Sequence, residues 1–373
     1  MPFLSFDAYP LWLNALVFLL AAGTIWFAGV RLERYADTIS ERTGLGQDFT
    51  GMLLLAGATS LPEVATTITA VALLNNPTLA VHNLLGGVAL QTAILAVADR
   101  TKGEHGALTF FSPRFSLLIG GVGLLLLLQL TTAGITARGF PSVVSISAWP
   151  VLVFLAYLGV MYLMYRYQGQ PRWTPSEADD VPPELDTGRR RPGARDRRGD
   201  EDETQGRNGR DDRAHRHSLK NLWLLFAGVS LVVLVGGWFA TQSADVLAHQ
   251  TGLGSAFLGA TLLALATSLP ELSTTIAASR NGRYSRAISN IFGSNAVDVS
   301  LLFLAELLYR SGTVIEHGGE SVVFVAAIGA IMTSIYLWGL MERENRTVLG
   351  IGWDSAAVLV VYLGGMGVLY FMS

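Results

Sequence analysis

Apolar runs of about twenty residues recur along this chain, separated by short polar stretches. That is the pattern of helices crossing a bilayer, whose hydrocarbon core takes about 20 residues of helix. Ten such runs are legible: Leu11–Val30, Thr50–Leu74, Leu79–Ala98, Phe115–Leu130, Val143–Tyr165, Leu222–Thr241, Ser255–Ala278, Ala287–Leu308, Ser321–Leu340 and Ser355–Met372. Between the fifth and the sixth the pattern stops. Residues 168–219 are rich in Pro, Arg, Asp and Gly, with almost nothing apolar, which predicts a disordered loop. Met1 to Pro10 has no Lys or Arg, so the first run reads as a retained helix rather than a cleaved signal.

Composition supports this division. Of 373 residues, 51% are hydrophobic and only 15% charged, where a soluble domain has about 25% charged. Mean hydropathy is +0.42. Residues 168–220 alone carry 24 of the 55 Lys, Arg, Asp and Glu, twelve basic and twelve acidic. A soluble globule is excluded, and the expected class is an all-α polytopic membrane protein. The net charge of −3 makes no case for nucleic acid, and zero Cys removes disulfides and thiolate sites. Lys and Arg favour cytoplasmic loops. With ten spans, alternate loops hold Arg31, Arg34 and Arg42; Arg100, Lys102 and Arg114; the charged loop; Arg280, Arg283 and Arg286; and Arg343 and Arg346. The opposite loops hold only Arg138 and Arg310. The expected orientation puts both termini outside and the 168–219 loop in the cytoplasm.

The chain also matches itself. Thr43-Gly-Leu-Gly46 repeats as Thr251-Gly-Leu-Gly254, and Ala58-Thr-Ser-Leu-Pro-Glu63 as Ala266-Thr-Ser-Leu-Pro-Glu271. Gly51 pairs with Gly259, Thr67-Ile68 with Thr275-Ile276, and Asp37 with Asp245, all at an offset of 208. After one gap, Asn83-x-x-Gly86 pairs with Asn290-x-x-Gly293 at 207. Two halves follow: 1–167, with a core motif at 43–98, and 220–373, with one at 251–308. Five spans per half is odd, so the second half enters from the opposite side. Two inverted five-helix repeats are the expected fold, an arrangement that in secondary transporters places the site near the midplane.

Carboxylates inside apolar spans carry the chemistry, because an ionised side chain at the bilayer centre costs roughly 2.5–3.5 kcal/mol on insertion scales. Glu63 and Glu271 both follow Thr-Ser-Leu-Pro. Each proline removes a backbone donor and breaks its helix beside the acid, freeing carbonyls around Ala56–Thr59 and Ala264–Thr267. With the hydroxyls of Thr59, Ser60, Thr267 and Ser268, that is the oxygen set of a hard cation such as Ca²⁺ or Na⁺. A third acid, Asp298, lies in the eighth span opposite its repeat partner Gln91, and both offer oxygen at the same place. Asn83, Asn290 and Asn295 serve equally as helix-to-helix bonds or as ligands. Asp99 and Glu306 also match across the halves, near span ends, which favours a structural or gating role. His215 and His217 sit in the polar loop and read as solvated. No phosphate-binding glycine loop points to ATP, no nucleophile–base pair points to an enzyme, and no cofactor is expected.

Two copies of a Thr-Ser-Leu-Pro-Glu helix, the second followed by Asn-x-x-Gly-Ser-Asn, resemble the alpha repeats of the cation/Ca²⁺ exchanger superfamily, in its prokaryotic sodium/calcium exchanger branch. The resemblance implies a diamond of four ion sites, with Glu63 and Glu271 bridging Ca²⁺ aided by the backbone oxygens of Thr59 and Thr267. It implies Na⁺ at Ser60, Ser268 and Ser294 with the carbonyls of Ala56 and Ala264, and an acid beside the central site at Asp298. It also implies residence in the plasma, or prokaryotic inner, membrane. The first half departs from the motif: Gly86-Gly87-Val88 and then Gln91 stand where the family commonly has Gly-Ser-Asn and then Asn or Asp. The expected function is therefore a Ca²⁺/Na⁺ antiporter. Ca²⁺/H⁺ or Na⁺/H⁺ exchange through the same carboxylates is the alternative, since such acids titrate when partly desolvated. A non-transporting membrane scaffold is the reading from a different class.

Overall fold

The computed structural model describes residues 6–43, 57–102, 106–112, 115–137, 142–143, 146–166, 218–314, 317, 319–342 and 344–372. Nearly all of the 168–219 loop, and the start of the second expected span, lie outside the described residues. The helices are, in chain order, α1 (Leu11–Thr43), α2 (Leu61–Leu73), α3 (Pro77–Thr101), α4 (Phe115–Thr136), α5 (Ala148–Arg166) and α6 (Leu219–Thr251). They continue with α7 (Gly254–Thr267), α8 (Leu269–Arg280), α9 (Tyr284–Leu308), α10 (Gly319–Glu342) and α11 (Trp353–Met372). Among the described residues, eight are long and apolar enough to cross a membrane. A ninth span arises if α7 and α8, bent by 53°, count as one, and α2 is a shorter apolar helix.

Helix α1 outruns its apolar segment. The apolar run ends near Val30, but the helix continues to Thr43 through Arg, Glu, Ala and Tyr, most of them good helix formers. Helix α6 likewise continues past Thr241 to Thr251, where Gly252 closes it in the left-handed region at φ 72°. Apolarity measures the path through lipid, whereas hydrogen bonding and propensity set helix length. At 1.5 Å per residue, 33 residues reach about 50 Å, well beyond a hydrocarbon core of about 30 Å.

Helices α3 and α9 form the centre and pack on each other. Helix α3 is covered by α7, α8, α10 and α11; α9 is covered by α2, α4, α5 and α8. The long helices α1 and α6 lie side by side, α6 against α2 and α1 against α8. Leu84, Leu85 and Val88 of α3 meet Ile291, Phe292 and Val299 of α9 within one apolar cluster. Gly86 lets α3 approach the Ala260 backbone of α7 so closely that a Cβ would overlap it. Outward, α1 exposes Trp12, Leu19, Leu20 and Phe27, α6 exposes Leu224 and Leu231, and α11 exposes Val360, Leu363 and Phe371. In water such faces would be a liability; against lipid they are not.

Two short β-hairpins were not legible in the apolar pattern. β1 (Ser142–Val143) pairs antiparallel with β2 (Ile146–Ser147) just before α5. β3 (Thr347–Val348) pairs with β4 (Ile351–Gly352) just before α11. Each is held by a buried acid from the far half of the chain. Asp99, at the end of α3, accepts from the Gly352 amide at 2.5 Å, the Leu108 amide at 2.9 Å and the Lys102 ammonium. Glu306, at the end of α9, accepts from the Ser147 amide at 2.7 Å and the Val314 amide at 2.8 Å.

Candidate functional site

The two prolines act as the sequence anticipates, with the break two residues upstream of each. Ser60 sits at φ −86°, ψ 7° and Ser268 at φ −86°, ψ 4°, the same distortion at the same repeat position. Proline donates no amide proton, and its ring crowds the carbonyl four residues back. The carbonyls of Ala58 and Ala266 therefore lose their i+4 donor. Glu63 and Glu271 fall in the first turn of α2 and α8, where the exposed amide ends favour negative charge. Both are buried, and none of their four carboxylate oxygens has a hydrogen-bond partner. The Thr267 hydroxyl faces Glu63 but is committed to the Ala264 carbonyl at 3.2 Å. Glu271 lies within range of the charges of Glu63 and Asp298, and Asp298 within range of Glu63. Among the described residues, no three His, Asp or Glu side chains converge tightly enough to enclose a metal ion as they stand.

Glycines seat the long helices on these breaks. Gly29 of α1 lies against the Pro270 ring, and Gly237 of α6 lies against Ala65 and the Pro62 carbonyl. A Cβ at either glycine would overlap its neighbour, so only glycine permits the approach. Two turns along, Asp37 of α1 pairs with Arg286 of α9 at 3.0 and 3.2 Å. Asp245 of α6 accepts from Asn76, the N-cap of α3, at 2.6 Å. Each Glu is also fixed through its own backbone. The Asn83 amide donates to Thr66 at 2.9 Å, and Thr66 to the Glu63 carbonyl at 3.0 Å. Asn290 donates to Thr274 and Thr275 at 3.4 Å, and Thr274 to the Glu271 carbonyl at 3.1 Å.

Between α3 and α9 the side-chain donors are paired. The Gln91 amide nitrogen donates to Asp298 Oδ2 at 3.0 Å and to Ser268 Oγ at 3.3 Å. Its oxygen accepts from Ser294 Oγ at 2.7 Å. Asn295 donates to the Val88 carbonyl at 3.3 Å and to Thr92 at 3.1 Å. Asp298 Oδ1, Asn83 Oδ1, Asn295 Oδ1, Ser60 Oγ and Thr67 Oγ stay buried without a hydrogen-bond partner.

The anticipated residues thus divide. Glu63, Glu271, Asp298, Thr59, Ser60, Thr267, Ser268, Ser294 and Gln91 are all buried on helices around the α3–α9 core. Gln91 turns its nitrogen, not its oxygen, toward the acid. The Ala264 carbonyl is not left open: it already receives the Ser268 amide at 3.0 Å and the Thr267 hydroxyl. The helix runs unbroken to Ser268, so proline strips the donor from Ala266 instead. Ala56 lies outside the described residues. Sequence reasoning missed Thr66, Thr274, Gly29 and Gly237, although each pair stands at the same offset of 208.

Known proteins agree with this architecture. The profile of the family described as sodium/calcium exchanger protein matches residues 13–166 and 220–371. The inner membrane protein YrbG of Escherichia coli (strain K12) is 28% identical over 153 residues, which is 41% of this chain and 44% of that protein. The sodium/calcium exchanger MaX1 of Methanosarcina acetivorans is 25% identical over 153 residues, 41% of each protein. The matched stretch spans less than half the length of these relatives. Among solved structures, the H⁺/Ca²⁺ exchanger CAX superposes with a TM-score of 0.64 at 13% identity, covering 96% of this chain and 85% of that one. The sodium-calcium exchanger NCX_Mj superposes at 0.57 with 17% identity, covering 96% and 99%. At these identities the likeness is one of fold.

Proposed function

The chain belongs to the sodium/calcium exchanger protein family and is an integral membrane protein, and from that premise we propose that it is a secondary antiporter exchanging Ca²⁺ for Na⁺ across the membrane by alternating access. One observation carries the reading: four buried carboxylate oxygens, on Glu63 and Glu271, stand without partners at matching helix breaks. Unpaired buried charge costs several kcal/mol and persists where a cation or proton compensates it. Ca²⁺ takes six to eight oxygens and prefers charged ones. Glu63 and Glu271 would bind it, with oxygens of Thr59 and Thr267. Na⁺ would use Ser60, Ser268, Ser294, the backbone near Ala56 and Ala264, and the free oxygen of Asp298. Because both ions need the same carboxylates, occupancy is mutually exclusive, and that exclusion couples the fluxes.

The fold expectation extends the proposal. Ten spans as two inverted repeats, 1–167 and 220–373, would bring Glu63 and Glu271 to one midplane site from opposite sides. The exchanged packing of α6 on α2 and of α1 on α8 supports it. Both termini would be outside and 168–219 in the cytoplasm. Protons are the second reading for the counter-ion, favoured by Gly87, which lacks the hydroxyl that Ser294 supplies in the other half. The test is ⁴⁵Ca²⁺ uptake into proteoliposomes under an imposed Na⁺ gradient and, separately, a pH gradient. Uptake driven by Na⁺ upholds the first reading. Uptake driven by the pH gradient alone selects the second, and uptake under neither removes both.

A further inference from the structure

The two halves contribute opposite chemistry where α3 meets α9. The α9 side supplies the Ser294 hydroxyl and the Asp298 carboxylate. At the matching registers the α3 side supplies no side chain, at Gly87, and a carboxamide, at Gln91. A primary amide has two N–H donors and one carbonyl acceptor. In Gln91 all three functions are used: both donors on Asp298 Oδ2 and Ser268 Oγ, the acceptor on Ser294 Oγ. The nitrogen therefore bridges two oxygens much as a small monovalent cation would. A cation entering between Asp298 Oδ2 and Ser268 Oγ must first evict it. The extra methylene of Gln over Asn gives the amide its reach. The missing side chain at Gly87 leaves room beside it: a Cβ there would stand 3.5 Å from Asp298 Oδ2 and 3.9 Å from the Gln91 nitrogen, ordinary contact distances.

We propose that Gln91 is the residue that sets the counter-ion count: its carboxamide is a built-in neutral occupant of the place between Asp298 and Ser268, so the exchanger carries one fewer monovalent cation per Ca²⁺ than the same fold would with a hydroxyl at 87 and a shorter amide at 91. Of the carboxylate oxygens around the core, those of Glu63 and Glu271 and Asp298 Oδ1 then remain open to counter-ions. The inference rests on the exchange reading above, and its test is chosen to fail separately.

The measurement is the limiting Ca²⁺ ratio across proteoliposomes at zero net flux, with the membrane potential clamped at zero by K⁺ and valinomycin. This ratio is an equilibrium quantity, independent of how much protein is active. Each added coupled Na⁺ multiplies it by the Na⁺ gradient, about tenfold for a gradient of about ten. The double variant Gly87→Ser/Gln91→Asn is expected to hold a Ca²⁺ ratio about tenfold above that of the unaltered protein. Equal ratios in the two proteins overturn the proposal. Gln91→Asn and Gln91→Ala serve as further variants; loss of all flux in every variant at 91, with the unaltered protein active, also overturns it by making Gln91 part of the Ca²⁺ site. If the unaltered protein moves no Ca²⁺, the exchange reading has failed, and the role of Gln91 is read from Na⁺-dependent thermal stabilisation in detergent. The double variant is then expected to gain a Na⁺-dependent rise in Tm that the unaltered protein lacks. No gain counts against Gln91.

Discussion

Two pairs of buried acids, each matched across the halves, meet opposite fates. Asp99 and Glu306, near the ends of α3 and α9, have partners on both oxygens, mostly backbone amides of the hairpins and loops they anchor. Glu63 and Glu271, at the helix breaks, have none. A carboxylate group, burial and repeat symmetry are shared, so none of these separates a structural acid from a ligand. Hydrogen-bond satisfaction does. A carboxylate that accepts several amides has its charge stabilised in the folded state, and its removal orphans those amides. A carboxylate with no partner is a cost to the fold, and its removal relieves one.

The largest effect that could break this comparison is on transport. Glu63→Ala and Glu271→Ala are each expected to abolish Ca²⁺ uptake in proteoliposomes while the purified protein keeps a monodisperse profile and a Tm no lower than that of the unaltered protein. Near-normal uptake in either would remove the central claim. Next in size, Asp99→Ala and Glu306→Ala are expected to lower stability, by roughly 1–3 kcal/mol for each orphaned amide. Thermal unfolding in detergent reads this directly, and Asp99→Asn, which keeps one acceptor, should lose less. Loss of transport with unchanged Tm would turn these acids into ion-path residues.

A smaller change sharpens the contrast from the outside. Gly29→Ala and Gly237→Ala push a methyl into Pro270 and Ala65. Overpacking of this kind costs about 1–3 kcal/mol. Because the strained contact lies beside Glu271 or Glu63, slower Ca²⁺ uptake at normal expression is expected; unchanged rates would mean that α1 and α6 do not govern access. The smallest effect belongs to the exposed pair Asp37–Arg286, both side chains nearly half accessible. Arg286→Gln should change stability by less than about 1 kcal/mol, with the residual effect fading in high salt.

Much of the fold was legible because lipid enforces it. Apolar runs marked eight of the observed long helices, and proline two residues after Ser60 and Ser268 marked both breaks. Their lengths were not legible, since α1 and α6 continue as helices into polar sequence. The hairpins escaped because two-residue strands carry no periodic signal. At the site, Glu63, Glu271 and Asp298 stood out as charges in apolar spans, whereas Thr66 and Thr274 looked like ordinary helix threonines until Asn83 and Asn290 were seen to reach them.

The sequence by itself determined the membrane class, the internal repeat and the family, since these rest on composition and on spacing along one chain. Only the tertiary structure decided which buried polar groups are satisfied. Asp99 finds the Gly352 amide 253 positions away and Gln91 finds Asp298 207 positions away. The same packing leaves the carboxylates of Glu63 and Glu271 with none. A hydrogen bond depends on distance and angle in space, and no local pattern encodes either for partners that far apart.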